Sequence, residues 1–97
     1  MRTLFLVAAL MAAVPAVAET PAPTRAVLVD AAKAPAGRLV LDGAIWRCDG
    51  ATCVATGGSS QPASRACRRV VSRLGAVTEF AWKGEALSAE QLAICNA

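Results

Sequence analysis

Four cysteines and four clustered arginines are the side chains with the most chemistry to offer. The cysteines are Cys48, Cys53, Cys67 and Cys95, and the arginines are Arg65, Arg68, Arg69 and Arg73. The chain of 97 residues contains no histidine. That excludes Ser-His-Asp and Cys-His catalysis, Cys/His zinc sites and histidine proton shuttling. A carboxylate pair is the remaining acid–base device. However, Asp42 and Asp49 each precede glycine, as turn residues do, and Glu79, Glu85 and Glu90 stand in unrelated contexts. The residues therefore predict no catalysis.

The thiols have three possible uses: redox chemistry, metal binding or stapling. Cys48 and Cys53 are separated by four residues, which is not the C-x-x-C spacing that sets one thiol at a helix N-terminus. A thiol-disulfide role for Cys48 and Cys53 is the alternative function to weigh. Zinc ligands come as two close pairs, but Cys67 and Cys95 lie far apart in sequence. No metal or other cofactor is expected.

The start of the chain bears on the oxidation state of these thiols. Met1-Arg2-Thr3 is followed by the apolar run Leu4 to Val17, and Ala16-Val17-Ala18 precedes Glu19. A basic start, a short apolar run and an A-x-A site form the pattern of a signal peptide cleaved after Ala18. The run has 14 residues and contains Pro15, whereas a membrane-spanning helix needs about 20. The protein is thus expected to be periplasmic or secreted, with no transmembrane span after cleavage. Export favours disulfides, and an even cysteine count fits two of them. Cleavage would leave nine basic and seven acidic residues, a net +2 that does not call for nucleic acid. It would also leave 18 large apolar residues (Val, Ile, Leu, Phe, Trp, Met), a small core of the kind that disulfides commonly reinforce.

Several elements must position the cysteines and arginines. Residues 19–37, rich in alanine and proline, read as a flexible leader, with Ala26 to Val29 an optional edge strand. The compact domain is then expected over residues 38–97. Asp42-Gly43 between Arg38–Leu41 and Ala44–Cys48 predicts a two-residue hairpin, with one long strand bulged at Gly43 as the competing reading. Asp49 to Thr52 forms a second turn leading into Cys53–Thr56. Ala63, Ala66, Cys67, Val70, Val71 and Leu74 make one apolar helical face, expected to be capped by Ser59 or Ser60 with Pro62 in its first turn. Val77–Trp82 reads as a strand and Lys83-Gly84 as a turn. Ser88 and Gln91 form a capping box for a second helix that reaches Cys95. Trp46, Phe80 and Trp82 are expected in the core, an exposed recognition patch being the rival reading. This order predicts an α+β fold: a small antiparallel sheet of three to four strands with two helices on one face, stapled by disulfides.

Cys48 and Cys53 would face each other across a hairpin, while Cys67 and Cys95 both lie on inward helical faces. That favours pairing Cys48 with Cys53 and Cys67 with Cys95, with the two other connectivities still open. Arg65, Arg68, Arg69 and Arg73 fall opposite the apolar stripe, in one band with Ser72. Such a band is either a solvated face paired to Glu79, Glu85 or Glu90, or a contact surface for an anionic envelope component or an acidic protein. The loop Gly57 to Ser60 could add N–H groups for an anion at the helix start, although it matches no phosphate-loop motif.

Trp46-Arg47-Cys48-Asp49-Gly50-Ala51-Thr52-Cys53, then Ser64-Arg65-Ala66-Cys67, then Cys95-Asn96 resemble a family of small exported four-cysteine proteins from alphaproteobacteria. The resemblance runs over about Leu39 to Ala97, on a W-x-C-x-G-x-x-C pattern with a terminal C-N. The family's Ser-Arg-Pro order stands here as Ser60-Gln61-Pro62, with Arg65 displaced. The resemblance implies export and a shared fold, and no reaction.

Overall fold

The computed structural model describes residues 22–97. The expected signal peptide, residues 1–18, lies outside the described residues. Among these residues six strands form one antiparallel sheet: β1 (Arg25–Leu28), β2 (Leu39–Leu41), β3 (Ala44–Asp49), β4 (Thr52–Gly57), β5 (Val77–Trp82) and β6 (Glu85–Ala86). Their spatial order is β2-β3-β4-β1-β5-β6. Two helices, α1 (Ala63–Leu74) and α2 (Ala89–Asn96), pack against β5 and against each other. The architecture is α+β, but the sheet has more strands than the three to four expected.

The local chemistry of the β2–β3 hairpin is plain. Asp42 and Gly43 have φ values of 51° and 79°, and Leu41 pairs with Ala44 across them. A turn with both central residues at positive φ matches the twist of the flanking strands, which excludes the bulged single strand. Asp and Gly are the residues that tolerate those positions. The β3–β4 pairing continues to Asp49↔Thr52 and sets Cys48 directly opposite Cys53.

The largest departure from expectation is β1. Arg25–Leu28 is a central strand, hydrogen-bonded to β4 on one side and β5 on the other. Order extends upstream of it as well. The carbonyl of Thr24 accepts the Ala55 N–H, its hydroxyl accepts the Lys83 N–H, and the carbonyl of Pro23 accepts the Gly84 N–H. The sheet therefore begins well before residue 38. The leader reading is corrected over Pro23–Leu28, and Asp30 additionally caps a short 3-10 turn over Ala31–Lys33. The physical reason is that β1 buries Ala26 and Leu28. Alanine gives so weak an alternation signal that Arg-Ala-Val-Leu does not read as a buried strand.

The core lies between the helices and one sheet face. Trp46, Cys53, Phe80 and Trp82 from the sheet meet Ala66, Cys67, Val70 and Leu74 of α1. Trp46 is fully buried, and Phe80 and Trp82 are nearly so, which places the aromatics in the core as expected. Gly58 is fixed by this packing. Its φ is +105°, and a Cβ there would stand 2.7 Å from Cη2 of Trp82. The opposite sheet face carries Val40, Ile45 and Val54, all exposed.

The capping box of α2 forms as expected: the Ser88 hydroxyl accepts the Gln91 N–H, and the Gln91 side chain accepts the Ser88 N–H. For α1 the expected Ser59 or Ser60 cap is corrected. Its N-cap is Pro62, with no side-chain cap; the Pro62 carbonyl accepts the Arg65 and Ala66 N–H groups. Ser59 is drawn elsewhere, donating its N–H to the Asp42 carbonyl.

Candidate functional site

The helical period sets Arg65, Arg68, Arg69 and Arg73 on the solvent side of α1, because Ala63, Ala66, Cys67, Val70 and Leu74 are turned into the core. All four arginines are exposed. The structure divides them into one that pairs directly with a carboxylate and three that do not. Nε and Nη2 of Arg69 each donate to the Asp42 carboxylate at 3.2 Å, in a two-pronged contact. Nε2 of Gln61 donates to the same carboxylate at 3.3 Å. The hydrogen bond from Arg69, then that from Gln61, holds the Asp42 pKa below its ordinary value.

Asp42 thus belongs to a latch as well as a turn. Its backbone makes the hairpin, its carbonyl takes the Ser59 N–H, and its carboxylate takes Arg69 and Gln61. The β2–β3 turn is thereby tied to the loop before α1 and to the helix. This corrects the expected pairing of the band with Glu79, Glu85 or Glu90. Glu79 pairs with Arg25 at 2.7 Å, and Glu85 and Glu90 form no ion pair among the described residues. Arg65, Arg68 and Arg73 have no acidic partner within ion-pair distance among the described residues.

The disulfides are Cys48–Cys53 and Cys67–Cys95, with Cα separations of 4.0 and 6.1 Å. The first locks the β3–β4 hairpin, and the second joins α1 to α2. Cys53, Cys67 and Cys95 are buried, and Cys48 is partly exposed. With all four sulfurs in bridges, no free thiol is present among the described residues.

Asn96 has a role that the sequence reading missed. Its side-chain amide donates to the Val77 carbonyl at 2.8 Å, while its side-chain oxygen accepts the Val77 N–H at 2.9 Å. The amide copies a strand neighbour at the start of β5 and anchors the end of α2 there. The available signal was a helix-terminal Asn next to the inward-facing Cys95. No helix of the described residues is long and apolar enough to cross a membrane.

Fold and bridges together define a small α+β domain stapled by two disulfides. The chain belongs to a family of unknown function, DUF8200, whose profile matches residues 6–97. Searches of curated proteins and of solved structures find no match to it.

Proposed function

We propose that this protein is an exported binding domain that attaches to an anionic surface of the bacterial envelope through the outer face of α1. The observation that carries the reading is the division within the band: Arg69 is held by Asp42, while Arg65, Arg68 and Arg73 stand exposed without an acidic partner. Export is supported by the signal-peptide pattern of residues 1–18 and by the two disulfides. Each arginine near an anionic membrane surface contributes about 1 kcal/mol, so three give about 3 kcal/mol, or roughly 100-fold in affinity.

The test is co-sedimentation with phosphatidylcholine vesicles, with and without phosphatidylglycerol, for wild type and for Arg65→Gln/Arg68→Gln/Arg73→Gln. Binding confined to the anionic vesicles, weakened by salt and lost in the triple variant supports the reading. Equal binding by both proteins refutes it. Failure on lipid combined with capture of an acidic protein that needs the three arginines replaces the partner and keeps the surface.

A second reading, thiol-disulfide exchange at Cys48 and Cys53, is favoured by one observation: Cys48 is the one partly exposed cysteine and lines an open cleft. Selective reduction of Cys48–Cys53 by a mild dithiol, with Cys67–Cys95 intact, supports that reading; resistance of both bridges to it counts against it.

A further inference from the structure

A cleft of about 210 Å³ on the flank of the sheet is lined by Ala36, Gly37, Arg38, Arg47 and Cys48. Arg38 and Arg47 both line it, and they come from separate segments. Arg38 precedes β2 and Arg47 lies in β3, each one position beyond the Leu39↔Trp46 pair. Like charges in facing positions of neighbouring strands destabilise a sheet. Neither arginine has an acidic partner within ion-pair distance among the described residues. The N–H groups of Gly37 and Arg38 donate to no acceptor among the described residues either. On the remaining wall, the bridge from Cys48 to Cys53 fixes the strand that carries Arg47.

We propose that this cleft binds a compact oxyanion, a phosphate or carboxylate group held between Arg38 and Arg47. Guanidinium groups suit this ligand because their planar forks match carboxylate and phosphate oxygens two at a time. The size fits as well. Pockets for drug-sized ligands run from about 300 to 1,000 Å³, and this one falls below that range. An anion between the arginines turns a repulsion into two charge-assisted contacts. The site is separate from the α1 arginines and does not depend on their role.

Amide chemical shifts of the full domain report the test, with inorganic phosphate, glycerol phosphate and succinate as probes. Saturating shifts centred on Gly37, Arg38, Arg47 and Cys48 are expected. The midpoint should move at least tenfold higher in Arg38→Gln and in Arg47→Gln, and stay unchanged in Arg65→Gln/Arg68→Gln/Arg73→Gln. Arg47→Lys keeps the charge and loses the fork, so it should fall between wild type and Arg47→Gln. Tighter binding of glycerol phosphate than of inorganic phosphate marks an esterified headgroup as the source, and the reverse marks the free ion. Arg38 precedes its strand, so Arg38→Gln remains a test if Arg47→Gln does not fold. Shifts that rise linearly without saturation, or that centre on α1, overturn the proposal.

Discussion

Removing the two bridges separately should expose a difference set by the chain length each one closes. Cys67–Cys95 spans 28 positions and Cys48–Cys53 spans 5. Loop-closure entropy then gives about 3.6 kcal/mol for the first and about 2.2 kcal/mol for the second. Both cysteines of the helix bridge are buried, whereas in the hairpin bridge Cys53 is buried and Cys48 partly exposed, so the helix pair loses more packing on replacement by alanine. A domain of this size has a stability of about 4–11 kcal/mol. For small domains each kcal/mol moves Tm by about 4–8 °C. Cys67→Ala/Cys95→Ala should therefore melt about 15–30 °C below wild type, and Cys48→Ala/Cys53→Ala about 9–18 °C below. Near-ultraviolet circular dichroism of the buried Trp46 is a suitable probe of tertiary packing. Pairwise replacement leaves no stray thiol to confuse the comparison. Indistinguishable melting points, or a larger loss from the hairpin bridge, would refute the assignment of the dominant staple to the helix pair.

Asn96→Ala should cost about 1–3 kcal/mol, because it orphans both the N–H and the carbonyl of Val77; faster hydrogen exchange at the Val77 amide is the accompanying sign, and unchanged exchange would contradict it. The lowered Asp42 pKa makes the latch acid-sensitive in one direction. Below the unfolded-state value of about 3.9 the unfolded chain takes up the proton first, so this contribution is full above that pH and is lost as pH falls through the lower folded-state value. Urea titrations from neutral pH to pH 2 should show the gap between wild type and Asp42→Asn closing over that window, and a constant gap argues against the latch. Gly58→Ala forces a Cβ against the Trp82 ring at positive φ and should destabilise by about 2–4 kcal/mol in the same urea assay; wild-type stability would show that the loop moves aside freely.

What could be read from sequence were the elements whose signals are local. The Asp42-Gly43 turn, the stripe Ala63 to Leu74 and the Ser88–Gln91 capping box are each set by residues a few positions apart, and each stands where expected. The features that escaped, such as the central rather than edge place of β1, depend on partners far away in the chain. β1 is a strand because β4 and β5 flank it, not because Arg-Ala-Val-Leu alternates strongly. Asp42 satisfied its turn role so well that its second role, to a helix 27 positions later, left no trace in the pattern. The arginine band was legible as a band, but Arg69 could be told from its neighbours only by that contact. The facing of Arg38 and Arg47 follows from the register that the two-residue turn sets, but the cleft they line also needs the approach of Ala36 and Gly37, which no local signal gives.

The place of β1 in the sheet governs the order in which the molecule can assemble. It leaves the ribosome before the other strands, yet its partners arrive late: Arg25 pairs with Val54 and with Ala81. Until Val77–Trp82 has been made, the sheet lacks its fifth strand, and β1 has only one neighbour to hold it. Contacts of such long sequence separation fold slowly, since the loop must close before they reward it. The β2–β3–β4 meander and α1 are contiguous, and their contacts are local by comparison. Completion of the sheet therefore waits on β5, the second neighbour of β1.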